Sequence, residues 1–378
     1  MILVNGVIHP VDGPVIPNGF VAWAGSKIAA VGPMEALPAE DFGTVLDAQG
    51  GHVTPGYIDA HCHLGVFGDG LGFEGEDCNE MTDPVTAQLR VLDALNPQDY
   101  TFEEARRGGV TTVVTGPGSA NPIGGQMACI KTAGTVIDEM VVRAPVSMKM
   151  ATGENPKRVY HNQKASPSTR MTTAAIMRDT FQKAQEYARK REKGEGDFNA
   201  KLEALIPVLR GELPVHIHAH QANDIVTALR VSREFGLKCV IVHGTEGHLV
   251  AEHIAKSGCP VITGPNMTDR SKPELRNKSL VTPSVLAQAG VKVAICTDHP
   301  VIPLQFLPLC AGLAVRGGMS QEAALAAITL NPAEILGLDG RLGSLTPGKD
   351  ADIVVTPESP FSALYAPSVV ILNGERVV

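Results

Sequence analysis

The sequence predicts an α/β fold, a (β/α)8 barrel carrying a small β domain that both termini build together, and three observations predict it. The middle of the chain alternates β-branched runs with helix-patterned stretches that end in glycine. Both ends carry short apolar runs separated by Asn-Gly, Pro-Asn-Gly and Gly-Ser turn signals. Histidine and aspartate recur where the middle strands end, which is where a barrel carries its chemistry.

From residue 1 to about 53, the runs Ile2-Leu3-Val4, Phe20-Val21-Ala22-Trp23 and Ile28-Ala29-Ala30-Val31 read as a meander of short strands. The C-terminus repeats the style, with Asp352-Ile353-Val354-Val355 and Val369-Val370-Ile371-Leu372 before Asn373-Gly374. Neither end has enough strands to stand alone, so the economical expectation is one domain made of residues 1–54 and 345–378, with the barrel at 55–344. Barrel strands are expected at 57–61, 110–115, 127–131 or 140–143, 146–151, 215–220, 239–243, 261–264 and 293–297. Helices are expected at 102–107, 173–191, 224–235 and 246–256, three of them closed by Gly108, Gly236 and Gly258. Two segments fit the rhythm poorly. Residues 183–201 are dense in charge and read as a solvated helical hairpin, and 65–99 reads as a long loop at the active-site wall.

Composition narrows the function. The net charge of -8 provides no field for a phosphate backbone or an anionic membrane, so neither nucleic acid nor membrane is expected as a partner. Seven dispersed cysteines without Cys-x-x-Cys spacing read as free thiols. With no signal-peptide pattern at Met1 and no apolar run of spanning length, a cytoplasmic protein acting on a small molecule is expected, with room for a homo-oligomer.

The chemistry gathers at strand ends. His61 and His63, two apart on a strand, point to the same side. His216, His218 and His220 share one face of the fifth strand, His243 ends the sixth, and Asp298 follows the eighth. Imidazole and carboxylate are the ligands of zinc and similar ions in hydrolytic sites, so these ends predict a metal centre in which Asp298 moves the proton.

The motifs 54–63 (Thr-Pro-Gly-Tyr-Ile-Asp-Ala-His-Cys-His), Gly109-Val110-Thr111-Thr112-Val113, Val242-His243-Gly244-Thr245 and Thr297-Asp298 resemble the amidohydrolase superfamily of metal-dependent hydrolases. Within it the chain is most similar to imidazolonepropionase-like amidohydrolases, and the tail at 329–337 with Gly348-Lys349-Asp350-Ala351-Asp352 extends the match nearly end to end. The resemblance implies a TIM-like barrel, a composite β-sandwich made by both termini, and one or two divalent ions, zinc foremost. It implies His61, His63, His243 and Asp298 as ligands, with Asp298 also catalytic. On the fifth strand His218 matches best, seven residues before Ile225, with His220 as the alternative ligand or a substrate contact and His216 structural. On the fourth strand Glu154 is preferred and Lys149, carboxylated, is the alternative. Arg158 and Tyr160, just beyond, are candidates to clamp a substrate carboxylate. The expected activity is cleavage of an amide or cyclic amide C–N bond by a metal-activated hydroxide. A deaminase of an aminated heterocycle is the alternative enzyme, and a catalytically silent barrel scaffold is the alternative outside enzymes.

Overall fold

The computed structural model describes residues 1–39 and 42–378; residues 40 and 41, inside the expected 1–54 segment, lie outside that description. Five strands open the chain: β1 (Ile2–Ile8), β2 (Ile16–Ala24), β3 (Lys27–Pro33), β4 (Val45–Asp47) and β5 (His52–Pro55). Eight more form the barrel: β6 (Tyr57–Cys62), β7 (Val110–Thr115), β8 (Ile123–Lys131), β9 (Val141–Ala151), β10 (Val215–Ala219), β11 (Cys239–His243), β12 (Val261–Thr263) and β13 (Val293–Ile295). Three close the chain: β14 (Ile353–Thr356), β15 (Val369–Leu372) and β16 (Glu375–Arg376).

The termini do meet. Their strands form one continuous sheet in the order β16-β15-β14-β5-β1-β2-β3, with β4 on β1. The joint is the antiparallel β5–β14 pair, where Val53 lies opposite Val355. Leu3, Val21, Trp23, Val53, Ile353 and Ile371 pack as its own core, and the Trp23 indole N–H donates to Gly374 O at 2.9 Å.

The barrel sheet runs β6 to β13 in sequence order. It departs from the expected all-parallel pattern at the third strand, because β8 is antiparallel to both β7 and β9. Residues 116–122 are too few for a parallel crossover, which needs a dozen or more, so the chain turns back as a hairpin. The expected strands at 140–143 and 146–151 are one strand, β9. Elsewhere helices alternate with strands as expected, and Gly236 (φ +66°) and Gly258 (φ +69°) cap the helices Ala222–Phe235 and Ala251–Ser257 in the left-handed conformation. The charged stretch extends the helix Arg170–Glu192, then turns into the short helix Ala200–Glu203, the hairpin the sequence predicts.

The ring closes between β13 and β6 through side chains and inserted backbone. Ile58 N–H donates to Ile328 O at 2.7 Å, and Ile295 N–H to Ala327 O at 2.9 Å. Asp59, fully buried on β6, accepts from the Thr297 N–H (2.9 Å) and hydroxyl (2.6 Å) and from the His61 N–H (3.0 Å). One carboxylate thereby fixes the two strand ends that carry His61 and Asp298.

A second buried charge cluster joins the barrel to the terminal sheet. Lys131 on β8 pairs with Asp352 and, at 3.2 Å, with Asp350. Asp350 also receives Lys27 at 2.7 Å and Arg341 at 2.8 Å. The Gly-Lys-Asp-Ala-Asp tail motif is thus structural. All seven cysteines are free, and no helix among the described residues is long and apolar enough to cross a membrane.

Candidate metal centre

His61, His63, Lys149, His218, His220, His243 and Asp298 come together at one end of the barrel: His61, Lys149, His218 and His243 from β6, β9, β10 and β11, His63 and His220 just past β6 and β10, and Asp298 from the segment after β13. Two groups have ligand atoms within 4.8 Å of one another, His61 with His63 and Asp298, and His218 with His220 and His243. Asp298 Oδ1 lies 3.4 Å from Nε2 of both His61 and His63. The Lys149 amine lies 3.0 Å from His61 Nε2. The His61 and His243 rings, 5.6 Å apart, connect the two groups.

The outer side of each ring fixes its inner side. His63 Nδ1 lies 2.8 Å from Gly116 O, and His243 Nδ1 lies 2.8 Å from Gly264 O. A carbonyl only accepts, so both Nδ1 atoms carry hydrogen; the neutral His243 ring turns a bare Nε2 lone pair inward, and His63 offers one once its inner proton leaves. His218 Nδ1 meets the Ser119 hydroxyl at 2.9 Å and His220 Nδ1 the Thr245 hydroxyl at 2.6 Å. His243 (φ +72°) and Asp298 (φ +54°) both hold the left-handed backbone conformation, a cost that a packed site sustains in order to aim a side chain.

Electrostatics favour a cation here. Burial, reinforced by Lys149, holds His61 well below the ordinary imidazole range; burial and His243 do the same for His218 and His220. Burial brings His243 to about 4 and Lys149 to about 8. Burial alone would raise Asp298, but His243, His61 and His63 outweigh it and hold the carboxyl well below its usual range. His63 moves the other way, to about 10: burial lowers it, and Cys78 and Asp298 outweigh burial, so positive charge is favoured at that corner. The neutral imidazoles of His61, His218, His220 and His243 beside an ionised Asp298, with His63 exchanging its proton for the ion, are the donor set of a divalent ion, and the residues present fit one.

The remaining predicted residues are placed differently. Glu154 opens the helix Glu154–Asn162 with one oxygen 3.3 Å from the Arg158 guanidinium and the other accepting from the Glu274 N–H at 3.3 Å. It is Lys149, and not the preferred Glu154, whose side chain touches a clustered histidine. The lysine side chain points inward from β9, while the chain has already turned at Gly153 before Glu154. Arg158 and Tyr160 sit on that helix and not on a binding loop. Arg158 pairs with Glu154 one turn back. Tyr160 is buried, its hydroxyl donating to Asn121 Oδ1 at 2.6 Å, so it braces the 119–121 turn and offers no surface to substrate. His216 is buried with neither ring nitrogen partnered, deeper on β10. The 65–99 segment is pinned to β8 by Gln126 N–H to Leu89 O (2.8 Å) and Thr86 N–H to Ile123 O (2.9 Å).

Sequence reasoning missed three contributors. Asp59 carried a usable signal, an acid two residues before His61 on the same buried face. Ser119 and Glu274 carried none, because loop residues far apart in sequence reach the site only through the fold. Glu274 Oε1 lies 3.4 Å from His218 Nε2 and 3.5 Å from His220 Nε2.

Comparison with known proteins gives a consistent picture. Residues 52–377 match the profile described as the amidohydrolase family. A protein named amidohydrolase tasK, from Hapsidospora irregularis, is 31% identical over 94% of this chain, which spans 40% of that protein's length. An imidazolonepropionase from Paracoccus denitrificans (strain Pd 1222) is 27% identical, covering 90% of this chain and 88% of its own. The crystal structure of an amidohydrolase from Thermotoga maritima MSB8 superposes with a TM-score of 0.95 at 41% identity, over 100% of this chain and 99% of that one.

Proposed function

The chain belongs to the amidohydrolase family and is a hydrolase of carbon–nitrogen bonds, and from that premise we propose a metal-dependent enzyme that opens an amide or cyclic amide bond of a small substrate. The observation that carries the reading is the convergence of His61 Nε2, His63 Nε2 and Asp298 Oδ1 beside the Lys149 amine. Zinc is the ion this nitrogen-rich set suits best. His61, His63, His218, His243 and Asp298 would hold it, one ion or two. Lys149 replaces Glu154 as the fourth-strand ligand. Burial favours its neutral amine, the form that can add carbon dioxide with release of a proton, and the resulting carbamate would offer oxygen ligands where the free amine offers one nitrogen. A bound divalent ion supplies Lewis acidity, polarising the carbonyl and making water a nucleophile near neutral pH.

The protein's own residues do the rest. Asp298 is the most exposed of its ion-pair partners, its side chain 17% accessible against none for His61, so it meets both substrate and water. Ionised by its surroundings, it takes the proton of the attacking water and delivers it to the leaving nitrogen. Asp59 holds Thr297 and thereby the orientation of Asp298. His220, hydrogen-bonded through Thr245, is the remaining inward imidazole. Because imidazolonepropionases are among its relatives, imidazolone-type rings are the first substrates proposed for this chain, with N-acyl amino acids and dipeptides next. The free thiols fit the reducing cytoplasm, where we place the enzyme.

A panel of these amides, with aminated heterocycles as the second arm, tests the reading. Amide opening that stops in Asp298→Asn is the expected result. Ammonia release from the heterocycles alone would make it a deaminase, and no turnover by a metal-loaded protein across a broad panel would favour the silent scaffold.

A further inference from the structure

Glu274 lies in the turn Pro273–Leu275 after β12, and its side chain is fully buried. A carboxylate in that position requires partners for both oxygens. Oε2 accepts from the Glu154 N–H at 3.2 Å, while Glu154 Oε2 accepts from the Glu274 N–H at 3.3 Å. This reciprocal clasp ties the loop after β9 to the loop after β12. Gly153 permits it: a Cβ there would stand 2.9 Å from Asp224 Oδ2 and 3.2 Å from Glu274 Oε2, at φ +78°. With Oε2 held, Oε1 is aimed between His218 and His220, with the Lys272 ammonium 2.6 Å away.

The spacing is informative. Oε1 lies 3.4 and 3.5 Å from the two Nε2 atoms, as Asp298 Oδ1 lies 3.4 Å from those of His61 and His63. Such N···O separations are long for hydrogen bonds. They match the edge of a tetrahedron whose corners stand about 2.1 Å from one central ion. We infer that Glu274 is a metal ligand, completing with His218 and His220 a second His-His-carboxylate cradle, and that Glu154 is the positioning residue that holds it there. His243 stands between the cradles, its ring 4.6 and 4.4 Å from those of His218 and His220 and 5.6 Å from that of His61. The inference rests on the metal reading above and extends it to a loop that the sequence left without a role.

The competing explanation is that Glu274 only neutralises Lys272. Zinc affinity and stoichiometry, measured by calorimetric titration and elemental analysis, separate the two for wild type, Glu274→Gln, Lys272→Met and the double variant. The wild type should hold two zinc ions per chain. Glu274→Gln should keep one and bind the other at least about tenfold more weakly. Lys272→Met should keep both, and the double variant should match Glu274→Gln. Recovery of wild-type affinity in the double variant would overturn the inference, since repulsion by an unpaired Lys272 would then explain the loss. Two ions at unchanged affinity in Glu274→Gln would overturn it as well, as would a single ion that the variant retains. A wild type without zinc would instead remove the metal reading itself. Should Glu274→Gln not fold, a zinc-edge anomalous map of the wild type decides: an ion within about 2.2 Å of Glu274 Oε1 supports the inference, and ions bonded only to other residues overturn it.

Discussion

Two buried clusters of charge in this molecule look alike by composition and differ in what faces what. At the junction with the terminal sheet, every carboxylate oxygen has a donor: Asp350 receives Lys27, Arg341 and Lys131, and Asp352 receives Lys131, Thr111 and the Asn373 N–H. At the strand ends, imidazole Nε2 atoms and carboxylate oxygens face each other at 3.4 to 3.5 Å. The first arrangement is complete as built and holds two sheets together. In the second, the Nδ1 hydrogens of His63 and His243 are turned outward to carbonyls and their Nε2 atoms face inward, which is the form of a site that takes a cation.

Substitutions should divide along that line. The largest effect is expected at Asp298→Asn, which should lower kcat by roughly a thousandfold, within the range for removal of a general acid–base, while the melting temperature stays near that of the wild type. Lys131→Met should do the opposite. Leaving Asp352 buried without a cation, while Asp350 keeps Lys27 and Arg341, costs about 3–5 kcal/mol, read as a lower denaturation midpoint, with kcat per folded molecule unchanged. Were Lys131→Met to alter kcat at full folding, the junction would not be purely structural.

Acid should separate the clusters by pH window. His243 and His216 have folded values of about 4 and about 3, below the ordinary imidazole value, so the unfolded chain binds more protons between about pH 6.5 and 4. Stability therefore falls as pH falls through that range. Asp350 is depressed, with burial opposed by Lys131, Lys27 and Arg341, so its contribution is intact above the ordinary carboxyl value and is lost only below it. His216→Phe should flatten the fall of unfolding free energy between pH 6.5 and 4, reducing the total loss across that window by up to about 3 kcal/mol, and leave the more acidic limb in place. An unchanged slope would mean that His216 is not the buried neutral group described. The smallest effect belongs to Lys183→Ala, which breaks an exposed pair with Asp179 at 2.7 Å and should shift stability by under about 1 kcal/mol.

The same contrast explains what the sequence could tell. Features carried by short spacing were legible: His61 and His63 on one strand, the β10 histidines, the glycine-closed helices, and strands flanked by turn dipeptides at both ends. Eight barrel strands were also legible, yet the reversal of β8 was not, because a β-branched run carries no direction and only the short 116–122 connection decides it. The preference for Glu154 over Lys149 rests on residue type and chain position alone, since the geometry depends on which way a strand's last inward position points against a loop that has already turned. Glu274 was invisible for the same reason in stronger form: it lies more than fifty residues from the histidines it faces. The cross-domain role of Asp350 and Asp352 required knowing that β8 passes beside the tail.

The central claim is that the strand-end cluster is a cation site built on His61 and His63. Zinc titration calorimetry of the full chain beside His61→Asn/His63→Asn tests it most directly, with circular dichroism confirming that both are folded. The account predicts stoichiometric, tight zinc binding by the wild type and loss of at least one ion from the double variant. A folded wild type that takes up no zinc or other divalent ion, or a double variant that binds as the wild type does, would contradict it.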